Sequence, residues 1–429
     1  MIPSNLIAKK RDGKRLSKKE IHWFINSFLN KEISDSQMSS FLMAIFFRGM
    51  DIKEISSLVN IMIESGSKLD FSDSNYFIAD KHSTGGIGDK TSLILTPILA
   101  ALGIKVPMIA GRALAFTGGT IDKLESIEGF QSKQSLKKFK SLTIKNNCAI
   151  ICQSDELCPA DQKIYKLRDL TATIPSLPLI TSSIMSKKIS EGINTLVLDI
   201  KIGNGAFMKT LKEGQALARM MKKTGNEFNL KTDFIFSSMD QPLGQYAGLA
   251  CEINESIDTL SGNGPKDLIE LTLKLGSKIL IRSGIASNIK NALSLQKSVI
   301  KDGSALRRFK TMIHNQGGDL CHFKKLNQHK YTNYITAKKD GYLSKFNTEG
   351  IGWSLVELGC GYKFKKSKLD NSSGVEFIKK IGDQITRGEK IYRIFNSNRE
   401  KLEVASKLME ETFKITDQNE SVKLIIDES

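Results

Sequence analysis

A lysine, a histidine and two hydroxyl residues open a glycine-rich stretch, Lys81-His82-Ser83-Thr84-Gly85-Gly86-Ile87-Gly88. It offers one fixed cation and two hydroxyls. Its glycines let consecutive main-chain N–H groups turn toward one ligand with no Cβ in the way. A helix signal follows at once, Ser92 to Leu102, so its N-terminal dipole would face the same point. A second glycine turn, Thr117-Gly118-Gly119-Thr120, comes after the short apolar stretch Ile104–Ile109, with Arg112 alongside. Two such turns, each after a strand, can meet at the carboxyl edge of one sheet. The pair reads as a phosphate cradle made from two loops.

The common nucleotide motifs are not met. In Gly-x4-Gly-Lys-Ser/Thr the second glycine would fall on Asp89, whose charge would point at a triphosphate. The pattern GxGxxG fails as well, because Gly86-Ile87-Gly88 is followed by Asp89, Lys90 and Thr91.

From Gly111 to Glu125 the chain reads GRALAFTGGTIDKLE, which resembles the signature of the thymidine and pyrimidine-nucleoside phosphorylases. Ala110 stands where that family usually has serine, and Phe116 replaces a histidine common in the signature. The likeness runs through KKRDGKRLS, SFLMAIFFRGM, PADQKIYKLRDLTATIPSLPLITSSIMSKKISEG and MDQPLGQYAG. It weakens toward the C-terminus, where Tyr362 takes the place of an arginine.

The resemblance implies reversible phosphorolysis of pyrimidine (deoxy)nucleosides, thymidine first, to free base and (deoxy)ribose 1-phosphate. It points to Lys81, Ser83, Ser92 and Thr120 for phosphate, and to Arg168, Ser183 and Lys187 for the base. His82 would hydrogen-bond or protonate the base at O2; Tyr165 and Leu114 would flank the sugar and ring. Such chemistry needs a phosphate dianion held under C1′ and a stabilised anionic leaving base, with water excluded. No glycosidase-type carboxylate pair is required, since the nucleophile is already an anion.

Relatives in the family hold a monovalent cation at positions matching Gly88, Lys90, Leu243, Tyr246 and Glu255. Here Lys90 replaces a threonine ligand, so its ammonium is expected to stand in for potassium. The family also implies a homodimer. Two rivals compete: a phosphoribosyltransferase-like enzyme of the same fold, and a catalytically weakened nucleoside or nucleic-acid binding protein.

Helical spacing dominates the first 65 residues, where Ser17 and Glu20 form a capping box ahead of Ile21, Phe24, Ile25 and Phe28. Further helices are expected from Ser34-Asp35 and over Ile52 to about Ser65. From Phe77 short apolar strands alternate with helices, at Ile104–Ile109, Cys148–Cys152, Leu196–Ile200 and Phe234–Phe236. Pro175 and Pro178 are expected to break the chain before a helix starting at Thr181-Ser182, on which Ser183 and Lys187 share a face.

The fold class is therefore α/β: a small all-helical domain (1–65 and 163–193) and a large mixed domain with a central sheet (66–162 and 194–330). A β-rich α+β subdomain, 331–429, completes the chain. Phosphate and base groups fall in different domains, so a cleft hinged near 66–80, 155–165 and 190–196 is expected to close on both substrates.

Composition bounds the rest. The 429 residues carry a net charge of +17, but lysine is spread from end to end without interleaved aromatics, which argues for a solvated surface rather than nucleic-acid binding. No apolar run approaches the ~20 residues of a membrane span, and the N-terminus lacks a signal-peptide core. Six cysteines lack metal-ligand spacing. A cytoplasmic enzyme without bound metal is expected.

Overall fold

The computed structural model describes residues 1–72, 75–113, 115–116, 118–364 and 367–428. Three amphipathic helices, Lys18–Leu29, Asp35–Arg48 and Ile52–Glu64, follow a short helix at Pro3–Arg11. Ser17, Ser34 and Asp51 each accept a main-chain N–H at the helix start, with Glu20, Gln37 and Glu54 bonding back in capping boxes. Helices Pro159–Leu170 and Leu177–Ser190 return to pack on them. The second begins at Leu177, not at Thr181. Pro178 lies in its first turn, where a missing N–H has no partner to lose, so the proline opens the helix instead of breaking it.

The central sheet is mixed, with a parallel core. Ala79–Ser83, Thr195–Ile202 and Lys231–Ser238 lie side by side. Val106–Ala110 pairs with Cys148–Cys152 and joins the first strand through the bridge between Ile78 and Lys105. Strands expected at Leu196–Ile200 and Phe234–Phe236 are longer than their apolar runs because polar residues at their ends also pair. The two strands after Ala79–Ser83 lie on one side of it and the next two on the other. At such a reversal the connections part and leave a crevice at the strand's carboxyl end.

Each residue of Thr195–Ile202 is buried, and alternation sends its side chains into two cores. Val197 belongs to the core on the side of the helix Lys266–Arg282, whereas Leu196, Leu198 and Ile200 join the apolar residues of the helical part. The helical domain is thus seated on one face of the sheet, which places its helices Pro159–Leu170 and Leu177–Ser190 beside the crevice.

The C-terminal part holds two antiparallel sheets with helices Thr348–Glu357 and Arg399–Met409. It exchanges strands with its neighbour. Tyr246–Gly248 leaves the α/β part to pair with Gly374–Phe377, while Ile425–Glu428 pairs antiparallel with Lys231–Ser238. Residues 425–428 therefore finish the central sheet, capping an edge whose N–H and C=O groups would otherwise be unpaired. Among the described residues no helix is long and apolar enough to cross a membrane.

Candidate active site

A cavity of about 570 Å³ occupies the crevice. Lys81, His82, Ser83, Ser92 and Thr120 line it from the sheet side. Tyr165, Arg168, Ser183 and Lys187 line it from the helical side. Leu114, expected to flank the ring, lies outside the described residues, as does Thr117 of the second glycine turn.

Lys81 is 2% exposed, and its Nζ donates to Thr91 Oγ1 at 2.6 Å and Ser92 Oγ at 3.4 Å. Ser83 Oγ donates to Asp89 Oδ2 at 2.6 Å and accepts the Gly85 N–H at 3.1 Å. Burial pushes the Lys81 ammonium down, against Asp89 and Asp199. Burial would raise Asp89, yet Lys201 and Lys81, with bonds from Ser83 and Thr91, hold it well below the usual carboxylate range. Asp89 is thus a resident anion among the cations that an incoming oxyanion would use.

On the helical side, Lys187 Nζ donates to Asp161 Oδ2 at 2.5 Å and to Ser183 Oγ at 2.9 Å, so the i, i+4 pair meets as expected. Arg168 is 2% exposed. Its Nη1 donates to Leu179 O at 3.0 Å and its Nη2 to Ile174 O at 2.8 Å, while the buried Nε has no partner. Two arms of the guanidinium therefore hold the backbone around Pro175. Tyr165 lies 5.4 Å from it, ring centroid to Cζ.

Lys188 joins the two sides. Its Nζ bonds Asp80, Glu191 Oε1 at 2.8 Å and Ile109 O at 3.1 Å, all within the protein interior. Burial raises Glu191 well above its ordinary value even beside Lys188. His82, two residues after Asp80, is pushed well below the ordinary histidine value by burial and then by Lys188, Lys81 and Lys187. It is a neutral imidazole at neutral pH, able to donate an N–H bond. Those three lysines disfavour the imidazolium.

Beneath the first glycine loop, Lys90 Nζ donates to Tyr246 O at 2.7 Å, Leu243 O at 3.3 Å and Glu255. Lys123 Nζ reaches Glu252 at 2.6 Å and Asp89 O at 2.8 Å. Both glycine loops are thereby pinned to the helix Ala250–Leu260. Gly88 could carry no side chain here, since a Cβ would lie 2.4 Å from Leu243 O at φ +72°.

Asp89, Asp161 and Lys188 were not singled out by type and spacing. Within GGIGDKT the type and position of Asp89 speak only against a P-loop. Asp161 and Lys188 gain their meaning from pairings across 26 and 108 positions, which no local pattern announces.

Residues 75–306 match the family described as "Glycosyl transferase family, a/b domain", and residues 4–66 its helical bundle domain. Residues 342–416 match "Pyrimidine nucleoside phosphorylase C-terminal domain". A pyrimidine-nucleoside phosphorylase of Staphylococcus epidermidis is 46% identical over 407 residues, 94% of each chain. One from Geobacillus stearothermophilus is 45% identical over 415 residues, 96% of each chain. Among solved structures, anthranilate phosphoribosyltransferase of Thermus thermophilus matches with a TM-score of 0.59 at 15% identity, over 72% of this chain and 98% of that one. That last likeness is one of fold.

Proposed function

We infer the reaction from one premise: the chain belongs to the pyrimidine-nucleoside phosphorylase family. It is a pentosyltransferase that cleaves pyrimidine nucleosides with inorganic phosphate to free base and pentose 1-phosphate, reversibly. The rival phosphoribosyltransferase and nucleic-acid-binding readings are not favoured. The observation that carries the reaction to this cavity is its two-sided cationic lining, Lys81 from the sheet and Lys187 from the helical part.

In our reading phosphate binds Lys81, Ser83, Ser92 and Thr120. The Ser83 hydroxyl turns its proton from Asp89 to a phosphate oxygen, and the N-terminus of helix Thr91–Ala101 adds its dipole. As the sugar becomes cation-like, negative charge grows on the base. Lys187 and the unpartnered Arg168 Nε–H stabilise it, with Ser183 holding Lys187 in place. Neutral His82 donates to O2. Tyr165 covers the sugar.

Ile180, Ile184, Phe207 and Leu217 give the same cavity an apolar wall, which supports thymidine, with its methyl group, as the preferred substrate. Lys90 among Tyr246 O, Leu243 O and Glu255 leaves those oxygens already satisfied by an ammonium, which supports a reaction that needs no monovalent cation. A homodimer fits Phe47 and Leu170, 75% and 81% exposed on helices Asp35–Arg48 and Pro159–Leu170, which pack together. Sedimentation of wild type beside Phe47→Glu should show the dimer lost in the variant.

The deciding experiment offers thymidine, deoxyuridine and uridine with phosphate, with arsenate, and with neither. Free base should appear only with an oxyanion, fastest from thymidine. If all three nucleosides survive in excess phosphate, the assignment is wrong.

A further inference from the structure

We propose that Tyr362, in the C-terminal domain, is a positioning residue for the phosphate subsite and acts through Asp122. The inference rests on the phosphorylase reading and adds to it a residue outside the cavity wall.

Asp122 is 1% exposed and gathers three donors. Oδ1 accepts Arg112 Nη1 and Tyr362 OH, each at 2.9 Å, and Oδ2 accepts the Ala113 N–H at 2.6 Å. One carboxylate thus closes the second glycine loop on itself and fastens it to another domain. The closure is tight: a Cβ at Gly119 would lie 2.2 Å from Ala113 N, 2.3 Å from Arg112 C and 2.5 Å from Asp122 Oδ2. Thr120, whose hydroxyl faces phosphate in the proposed function, is the first residue of the short helix that also carries Asp122. A shift of the carboxylate moves the Gly118 and Gly119 amides and the Thr120 hydroxyl together.

The loop needs an outside hold. Ala115 sits at φ +52°, a conformation that an L-residue keeps only when its surroundings impose it. The C-terminal domain supplies a second contact there: the Trp353 ring lies 5.9 Å from that of Phe116, and Gly352 lets the backbone approach Phe116 O. Of the two contacts, only Tyr362 reaches the carboxylate that orders the phosphate-facing groups.

Removing the hydroxyl alone tests this. In Tyr362→Phe the Kd for inorganic phosphate, by calorimetry, should rise about tenfold, the scale of one hydrogen bond to a buried charge. KM for phosphate should rise in step, while KM for the nucleoside stays at the wild-type value. Tyr362→Arg, which returns a donor, should restore phosphate binding. Equal phosphate Kd in wild type and Tyr362→Phe, or parallel loss of phosphate and nucleoside affinity, overturns the role and leaves the phosphorylase reading standing. A wild-type protein that binds no phosphate overturns both.

Discussion

Replacing Ala110 should improve the enzyme. It lines the cavity at the end of strand Val106–Ala110, where the family pattern has a hydroxyl. Ala110→Ser should lower KM for phosphate by about one to two powers of ten, since a hydrogen bond to a charged group contributes roughly 1.5–3 kcal/mol. Steady-state kinetics in phosphate at saturating nucleoside checks this. Lys187 should behave in the opposite way: Lys187→Ala should lose on the order of 10²–10³ in kcat, because in the proposed reaction the lost charge acts on the departing base. His82 gives a pH signature. Its folded pKa lies below the unfolded value of about 6.5, so the native state resists protonation that the unfolded chain accepts. The stability it contributes is complete above about pH 6.5 and is lost as pH falls below that value. Urea midpoints at pH 7 and pH 5 should fall less in His82→Gln than in wild type.

At the scale of elements, the Lys188 cluster is the joint between the helix Leu177–Ser190 and the strands that carry Lys81 and Ala110. Lys188→Met leaves Asp80 buried without its cation. It should cost about 3–5 kcal/mol, read as a drop in the denaturation midpoint. Much of this architecture was legible in the sequence. Ser17 with Glu20 marked a helix start, and glycine turns after apolar runs marked the cradle, because those signals are local. Arg168 was legible as a cavity residue but not as a clamp on Ile174 and Leu179, since two of its arms are taken by carbonyls that any sequence provides. Tyr362 stood out as a departure, yet its partner lies 240 positions away. Helix Leu177–Ser190 starts four residues before the Thr181 that its sequence suggests, because Pro178 reads as a breaker unless it falls in a first turn.

For the whole molecule the question is how two lobes meet around two substrates. Asp80, Lys188 and Glu191 are buried where the lobes join, so relative motion is expected to pivot there and not to separate them. Scattering or crystals of the free protein and of the complex with phosphate and a non-reactive nucleoside analogue should differ by a rotation that narrows the cavity. Identical lobe angles in both states would refute a hinge. Tyr246–Gly248 and Ile425–Glu428 bear on a different matter. Each of the two neighbouring units lends the other a strand, so no contiguous excision yields a piece with all its ladders complete. A cut between those units therefore leaves an unpaired sheet edge in each fragment: Lys231–Ser238 loses its antiparallel neighbour and Gly374–Phe377 loses Tyr246–Gly248.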